Sequence, residues 1–362
     1  HPSPLTPHAS PLTPHHSPLT PHHSPLTPHH SPLTFRIFAQ NQEMKVLITG
    51  ACGMVGSHMI DMYTAQGITD LVGTFYKPTT DMEDIRGKAH LIECDVRYYQ
   101  RVHDIISGIK PDKIFHLAAQ SYPTVSWHRP QETMDTNVNG TINVFEAIKS
   151  VRKTDPQYDP VVVVACSSAE YGASLTPENT PVKEEAALLP LHPYGVSKVG
   201  QDLLSFQYWQ NDKIRCIRAR IFNTTGPRKT NDVVADFTHR AVAIEQKKAS
   251  KLTVGNLSTR RAITDVRDLV SALMLLSDKG NWGDVYNISG NKVYTISEII
   301  PIIEQYMGMT LEHEVDPKLL RPTDEPIIYG DSSKLKRDTG WEQQYDLATT
   351  IRDMIDYLRS KS

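Results

Sequence analysis

The chain has 362 residues, enough for one large α/β domain or two modest ones. Its formal net charge of -3 supplies no field for nucleic acid or an anionic membrane, and no apolar run approaches the ~20 residues that span a bilayer. Four widely spaced cysteines, Cys52, Cys94, Cys166 and Cys216, form no CxxC pattern. They predict reduced thiols in a cytoplasmic protein, without a metal site.

Residues 1–43 are a different material. Ser-Pro-Leu-Thr-Pro-His recurs every seven residues from Ser10, Ser17 and Ser24, with a shortened copy at Ser31. A Pro-rich repeat of this kind buries no core, and a disordered or extended tail is expected. Its histidines allow a metal-binding or linker role, but a translated tandem repeat or an artefact fits the composition better. Met44 then reads as the natural start, and a chain beginning there is expected to keep full activity.

Lys45 to Thr49 reads as a short buried strand, followed by Gly50, Gly53, Gly56 and an amphipathic helix to about Ala65. In such a strand–loop–helix unit Gly50 makes the tight turn, Gly53 admits a pyrophosphate, and Gly56 lets helix pack on strand. Met54 and Val55 open the helix whose N-terminus faces the phosphates. The next strand, near Asp70 to Phe75, ends in Tyr76-Lys77, with no acid for a ribose hydroxyl. Lys77 suits a 2′-phosphate, which favours NADP and leaves NAD open. A strand at His90 to Glu93 leads to Asp95 and Val96, with Asp95 placed to accept from adenine. Another at Lys113 to Leu117 leads through Leu117 into Ala118 and Ala119, whose small side chains leave room for a dinucleotide.

Val161 to Val164 reads as a central parallel strand that delivers Ser167 to the carboxyl edge of the sheet, where doubly wound folds bind ligands. Tyr194 and Lys198 follow, four apart on a predicted helix from Tyr194 to Asn211. About one Tyr-x3-Lys spacing is expected by chance in a chain this long. Its context supplies the meaning. A lysine beside a phenol is expected to lower the tyrosine pKa and so allow proton exchange with an alcohol or ketone.

The glycine triplet, HLAA at His116 to Ala119, NVNGT at Asn137 to Thr141, the Ser167 strand end, YGVSK at Tyr194 to Lys198 and RIFN at Arg220 to Asn223 follow the order of the extended short-chain dehydrogenase/reductases, the epimerase/dehydratase family. From Met44 onward the chain resembles that family. FNTTGPR at Phe222 to Arg228, VGNL at Val254 to Leu257, Arg261 followed by TDVRD at Thr264 to Asp268, and Leu320 to Pro322 with Thr339 to Trp341 resemble the enzymes of GDP-6-deoxyhexose synthesis. The likeness is greatest to GDP-4-keto-6-deoxymannose reductases, with GDP-mannose 4,6-dehydratases next.

The resemblance implies that Tyr194 protonates the developing alkoxide, Lys198 holds the nicotinamide ribose, and Ser167 binds the reacting oxygen. It places Asn223, Arg228, Arg261 and Arg321 on the sugar nucleotide, with Arg228 and Arg261 on its diphosphate. Ala169 stands where the family's dehydratases carry a glutamate and a related epimerase-reductase carries a cysteine. Alanine has no proton to move, so C4 reduction is expected. Neighbouring Glu170 should point to the opposite side of an extended segment. Ala262, Tyr76 and His192 depart from the family's usual Asp, Arg and Ser. A dehydratase, an epimerase and a non-catalytic dinucleotide-binding protein remain alternatives.

The implied architecture is a Rossmann-type doubly wound parallel sheet with a smaller C-terminal α/β lid. Residues 44–222 should be mainly the dinucleotide-binding domain and 223–362 mainly the sugar-nucleotide domain, with chain crossovers. Helices are expected at Glu132 to Lys149, Glu298 to Met307 and Thr349 to Leu358. Val138, Ile142 and Phe145 on one helix, with Leu203, Phe206 and Tyr208 on another, suggest a homodimer through a four-helix bundle. Burial within one chain is the alternative.

Overall fold

The computed structural model describes residues 44–319 and 325–362; the repeat tail and Arg321 lie outside the described residues. The chain opens with β1 (Val46–Thr49), α1 (Met54–Ala65), β2 (Leu71–Phe75), β3 (His90–Glu93), α2 (Tyr99–Ile109) and β4 (Lys113–His116). Two short helices follow, α3 (Pro123–His128) and α4 (Pro130–Met134), then α5 (Gly140–Thr154), β5 (Val161–Ser167), α6 (Pro193–Asp212) and β6 (Cys216–Ile221). Beyond these come β7 (Thr224–Thr225), α7 (Val233–Glu245), β8 (Leu252–Val254), β9 (Arg260–Ala262), β10 (Thr264–Asp265), α8 (Val266–Lys279) and β11 (Val285–Ile288). The rest is β12 (Val293–Thr295), α9 (Ile299–Met307), β13 (His313–Val315), β14 (Ile327–Ile328), α10 (Ser333–Thr339) and α11 (Leu347–Ser360).

Seven strands form one parallel sheet in the order β11-β6-β5-β4-β1-β2-β3. The strand period sends alternate residues to opposite faces. Val46, Ile48, Phe115 and Val163 pack with Met59 and Ile60 of α1 and Leu269 and Leu273 of α8. Leu47, Ile114, Val162 and Val164 pack with Val102 and Ile106 of α2 and Val144 and Phe145 of α5. Both faces are covered, which is why β5 reads as an unbroken apolar run. β1 lies between β2 and β4, so the chain reverses direction across the sheet at that point. A crevice outside the carboxyl ends of β1 and β4 is the expected ligand site of such a sheet.

A further apolar cluster joins Phe237 and Ala241 of α7, Ile299 and Ile303 of α9, and Ile351 and Ile355 of α11. β11 returns from that part of the sequence to the main sheet, beside β6.

One predicted helix is interrupted. Between α4 and α5 the backbone widens into a π-helical turn, Asp135–Asn139. Asn137 is at its centre and fully buried. Its side chain accepts from the Gln120 N–H and donates to the Gln120 carbonyl and to Ser197 Oγ. Such a bulge re-aims one side chain inward, a feature common at functional sites.

Candidate active site

The crevice between β1 and β4 is a cleft of about 450 Å³. Gly50, Gly53, Met54, Val55, Gly56, Lys77, Asp95, Val96, Leu117, Ala118 and Ala119 all line it. Thr49 Oγ1 accepts from the Leu117 and Ala118 N–H groups at 3.1 Å, fixing one wall against the other. The three glycines separate by cause. A Cβ on Gly50, which has φ +72°, would lie 2.9 Å from Ala118 Cα. One on Gly56 would lie 2.6 Å from Ala51 Cα. At Gly53 the nearest atom would be the Gly50 oxygen at 3.4 Å, which is ordinary contact. The fold therefore requires Gly50 and Gly56, while Gly53 keeps clear a cradle that a side chain would fill. That cradle lies at the start of α1, whose N-terminus has no side-chain cap among the described residues. These residues fit a dinucleotide's pyrophosphate.

At the other end of the cleft, Lys77 Nζ lies 5.0 Å and the Arg97 guanidinium 5.8 Å from the centre of the Tyr76 ring. Asp95 lines the cleft as expected, but Arg97 holds both its carboxylate oxygens, at 3.0 and 2.6 Å. Those contacts hold the Asp95 carboxyl below its usual range against the cost of its burial. Sequence reasoning missed Arg97. The signal was its position two residues past Asp95, level with the ends of β2 and β3.

The predicted catalytic side chains form a second cluster behind the cleft wall. Lys198 is buried and donates to the Ala165 carbonyl and to Gln201 Oε1, both at 2.7 Å. Ala165 in turn lines the cleft. Burial lowers the Lys198 pKa to about 8. The Lys198 Nζ lies 5.8 Å from the centre of the Tyr194 ring. Ser167 Oγ accepts from the Ala169 N–H at 3.2 Å, and its side chain hydrogen-bonds Tyr194. His192 caps α6 by accepting from the Gly195 N–H at 3.0 Å, which is the work expected of the usual serine.

The expected depression of the Tyr194 pKa is not found. Burial pushes the phenol up to about 12, against the Ser167 hydrogen bond that pulls it down. Lys198 is spaced correctly on the helix, but its ammonium is spent on Ala165 and Gln201. Desolvation of the phenolate therefore dominates.

Glu170 turns into the protein, away from Ala169. Its Oε1 accepts from the Ser167 N–H at 2.8 Å and its Oε2 lies 3.1 Å from Arg220 Nε. Among the expected substrate residues, Asn223 has a buried Oδ1 without a hydrogen-bond partner among the described residues. Arg261 Nη1 donates to the Arg260 and Glu325 carbonyls. Neither lines the dinucleotide cleft. Arg228, expected on the substrate diphosphate, is placed differently from Asn223 and Arg261. It lines the dinucleotide cleft, with Asp61 at 2.7 Å and Asp84 at 3.2 Å. Its backbone sits at φ +69°, and Asp61 and Asp84 are shared with Lys88 and Lys361. Arg321 is not among the described residues.

Residues 47–354 match the family described as GDP-mannose 4,6 dehydratase. The chain belongs to that family. A family relative, the GDP-6-deoxy-D-mannose reductase of Pseudomonas aeruginosa, is 28% identical over 88% of this chain and 98% of its own length. The GDP-mannose 4,6 dehydratase 2 of Arabidopsis thaliana is 26% identical over 86% of this chain and 85% of its own. Among solved structures, RMD of Pseudomonas aeruginosa in complex with NADPH superposes with a TM-score of 0.76 at 25% identity, over 88% of this chain and all of that one. The UDP-glucose 4-epimerase of Thermotoga maritima shares the fold, with a TM-score of 0.79 at 22% identity over 88% and 99% of the two chains.

Proposed function

We propose that this chain reduces the C4 carbonyl of a GDP-4-keto-6-deoxyhexose, with NADPH as the reductant. The observation that carries this reading is the strand end at Ala169. Tyr194 and Ser167 meet there, while Glu170, the adjacent carboxylate, is committed to Ser167 and Arg220. Ala169 itself offers no titratable group, so the position that carries a glutamate in the dehydratases has nothing here to remove a proton from carbon. The similarity to a GDP-6-deoxy-D-mannose reductase supports the same reading.

When bound, NADPH would supply a hydride to C4. The chain's own residues handle the oxygen. Tyr194, whose pKa of about 12 keeps it protonated at neutral pH, gives its proton to the developing alkoxide. That protonation state suits reduction better than oxidation, which would need a phenolate base. Ser167 steadies the same oxygen, and buried Lys198 would hold the ribose. Gly53, with Met54 and Val55 at the start of α1, would receive the pyrophosphate, and Lys77 with Arg97 the adenosine 2′-phosphate. Asn223 and Arg261 would face the sugar nucleotide, under a lid built mainly from the α7, α9 and α11 cluster.

The same reading makes the protein a cytoplasmic homodimer. Phe145 and Tyr208 stack on each other at 4.6 Å and are buried within the chain. Val196, Leu203 and Phe206 on α6 stay exposed and supply an apolar face for a second copy. A light-scattering mass equal to one chain would reject the dimer.

Incubation with GDP-4-keto-6-deoxymannose and NADPH tests the reaction. Loss of absorbance at the reduced-nicotinamide band is expected, with a GDP-6-deoxyhexose as product. Unchanged NADPH, together with conversion of GDP-mannose, would establish a dehydratase instead.

A further inference from the structure

Behind the reactive side chains lies a buried ion network that proton donation by Tyr194 does not itself require. Helix α6 presents Tyr194, Lys198 and Asp202 at successive turns. Asp202 is fully buried, and it accepts from Arg218 Nη1 at 2.6 Å and from Arg220 Nε at 2.9 Å. Arg220 Nε also lies 3.1 Å from Glu170 Oε2. Glu170 Oε1 accepts from the Ser167 N–H at 2.8 Å, while Ser167 Oγ accepts from the Ala169 N–H at 3.2 Å. Ser167 and Glu170 thus form a reciprocal cap at the end of β5. The Arg220 guanidinium cannot swing, because its Nη1 donates to the Tyr171 hydroxyl and the Glu184 carbonyl, both at 2.9 Å.

An unbroken path therefore runs from the helix carrying Tyr194 to the strand end carrying Ser167. The Ala169 N–H takes one lone pair of the Ser167 hydroxyl, which orients its O–H toward Tyr194 and the oxygen that reacts beside it. We infer that Glu170, acting with Arg220 and Asp202, is a positioning residue that fixes the Ser167 hydroxyl against Tyr194 and sets the charge behind the phenol. This rests on C4 reduction as the reaction.

The groups facing Glu170 come from each element around it. They are Cys166 and Ser167 on β5, Arg220 on β6, Tyr194, Lys198 and Asp202 on α6, and Tyr171 just beyond β5. Burial first, and then Asp202, push the Glu170 carboxyl up, with Arg220 pulling it down. When it ionises, its negative charge raises the pKa of both Tyr194 and Lys198. The phenol then stays protonated, as a proton donor must, further into the alkaline range.

The full chain carrying E170Q or E170A tests this against wild type, with NADPH affinity read by fluorescence and kcat followed across pH. E170A should lose about a hundredfold in kcat, the scale of an ångström-sized misplacement, with NADPH affinity unchanged. E170Q keeps an oxygen for the Ser167 N–H and should restore most of kcat at neutral pH. Its alkaline limb should nevertheless move to lower pH, because no negative charge develops behind Tyr194. Retained kcat in E170A, or an E170Q alkaline limb coinciding with wild type, would overturn the inference. The ultraviolet titration of Tyr194, taken as the difference from the matching Y194F chain with NADP⁺ bound, reads the same charge effect without substrate. A lower midpoint in E170Q supports the role and an unchanged one rejects it. A wild-type chain that leaves the ketone unreduced would overturn the reductase reading alone.

Discussion

The dinucleotide cleft and the strand end at Ser167 share one edge of one sheet, but they are built on opposite terms. The cleft is walled largely by glycines and small side chains, and the charged groups at its far end, Lys77 and Arg97, keep contact with water. At the strand end the charged groups are buried and lie against one another. Asp202, Arg218 and Arg220 bring one negative and two positive groups out of solvent, beside the Glu170 carboxyl, whose ionisation burial opposes. Breaking one side of such a network costs about 3–5 kcal/mol, because the remaining charge is left without its partner. Changes at Gly53 and at the charged end of the cleft should thus alter affinity with little effect on folding. Changes behind Ser167 should couple folding to proton chemistry.

The sharpest separation comes from Tyr194→Phe, which removes one hydroxyl from the buried cluster and nothing from the cleft. Turnover should fall about 10³-fold, within the span of general acid catalysis, while NADPH affinity stays at the wild-type value. Stopped-flow turnover and NADPH fluorescence titration on the same preparation would read both. Undiminished biological function with this substitution would instead favour a dinucleotide-binding role without catalysis.

The glycines test the comparison within the cleft itself. Gly56→Ala would push a methyl to 2.6 Å from backbone atoms of Ala51 and Gly50, and it should cost about 1–3 kcal/mol of stability in thermal melts. Gly53→Ala meets nothing closer than 3.4 Å and should melt like wild type. Its NADPH dissociation constant should rise about tenfold, the worth of one charge-assisted hydrogen bond. If the two outcomes were exchanged, the assignment of structural and ligand-facing glycines would be wrong.

These contrasts also explain what was legible in the sequence. β1, Gly50, Gly53, Gly56 and α1 are contiguous in the chain, so the motif could be read directly. The Tyr194–Lys198 spacing was legible for the same reason, since a helix fixes it. The Tyr194 pKa was not, because spacing shows a neighbour and does not show burial. Glu170, Arg220 and Asp202 meet only through the packing of α6 on β5 and β6, and no local pattern announces that meeting. The π-helical turn at Asn137 was hidden too, being set by hydrogen bonds to Gln120 and Ser197 from other segments. The pairing of Arg228 with Asp61 and Asp84 was hidden as well, because those partners lie far upstream in the chain.

The smallest expected effect lies at the solvent-facing end of the cleft, where Lys77 and Arg97 flank Tyr76. Arg97 already spends its charge on Asp95, at 2.6 Å. Lys77 has no carboxylate within ion-pair distance among the described residues, and its effect on Asp95 is a longer-range one. Lys77 is therefore the freer cation for a 2′-phosphate, although its exposure limits what a contact there is worth. Lys77→Ala should cut the preference for NADPH over NADH by about fivefold, the upper end for an exposed ion pair, measured as the ratio of kcat/KM values. Arg97→Ala should change that ratio less, because removing it also releases the Asp95 carboxylate beside the same site. A wild-type chain using NADH as efficiently as NADPH would remove the basis for assigning either residue to the phosphate. A larger effect from Arg97 than from Lys77 would show that the Asp95 pair opens when the cofactor binds, and would make this end of the cleft less passive than its exposure suggests.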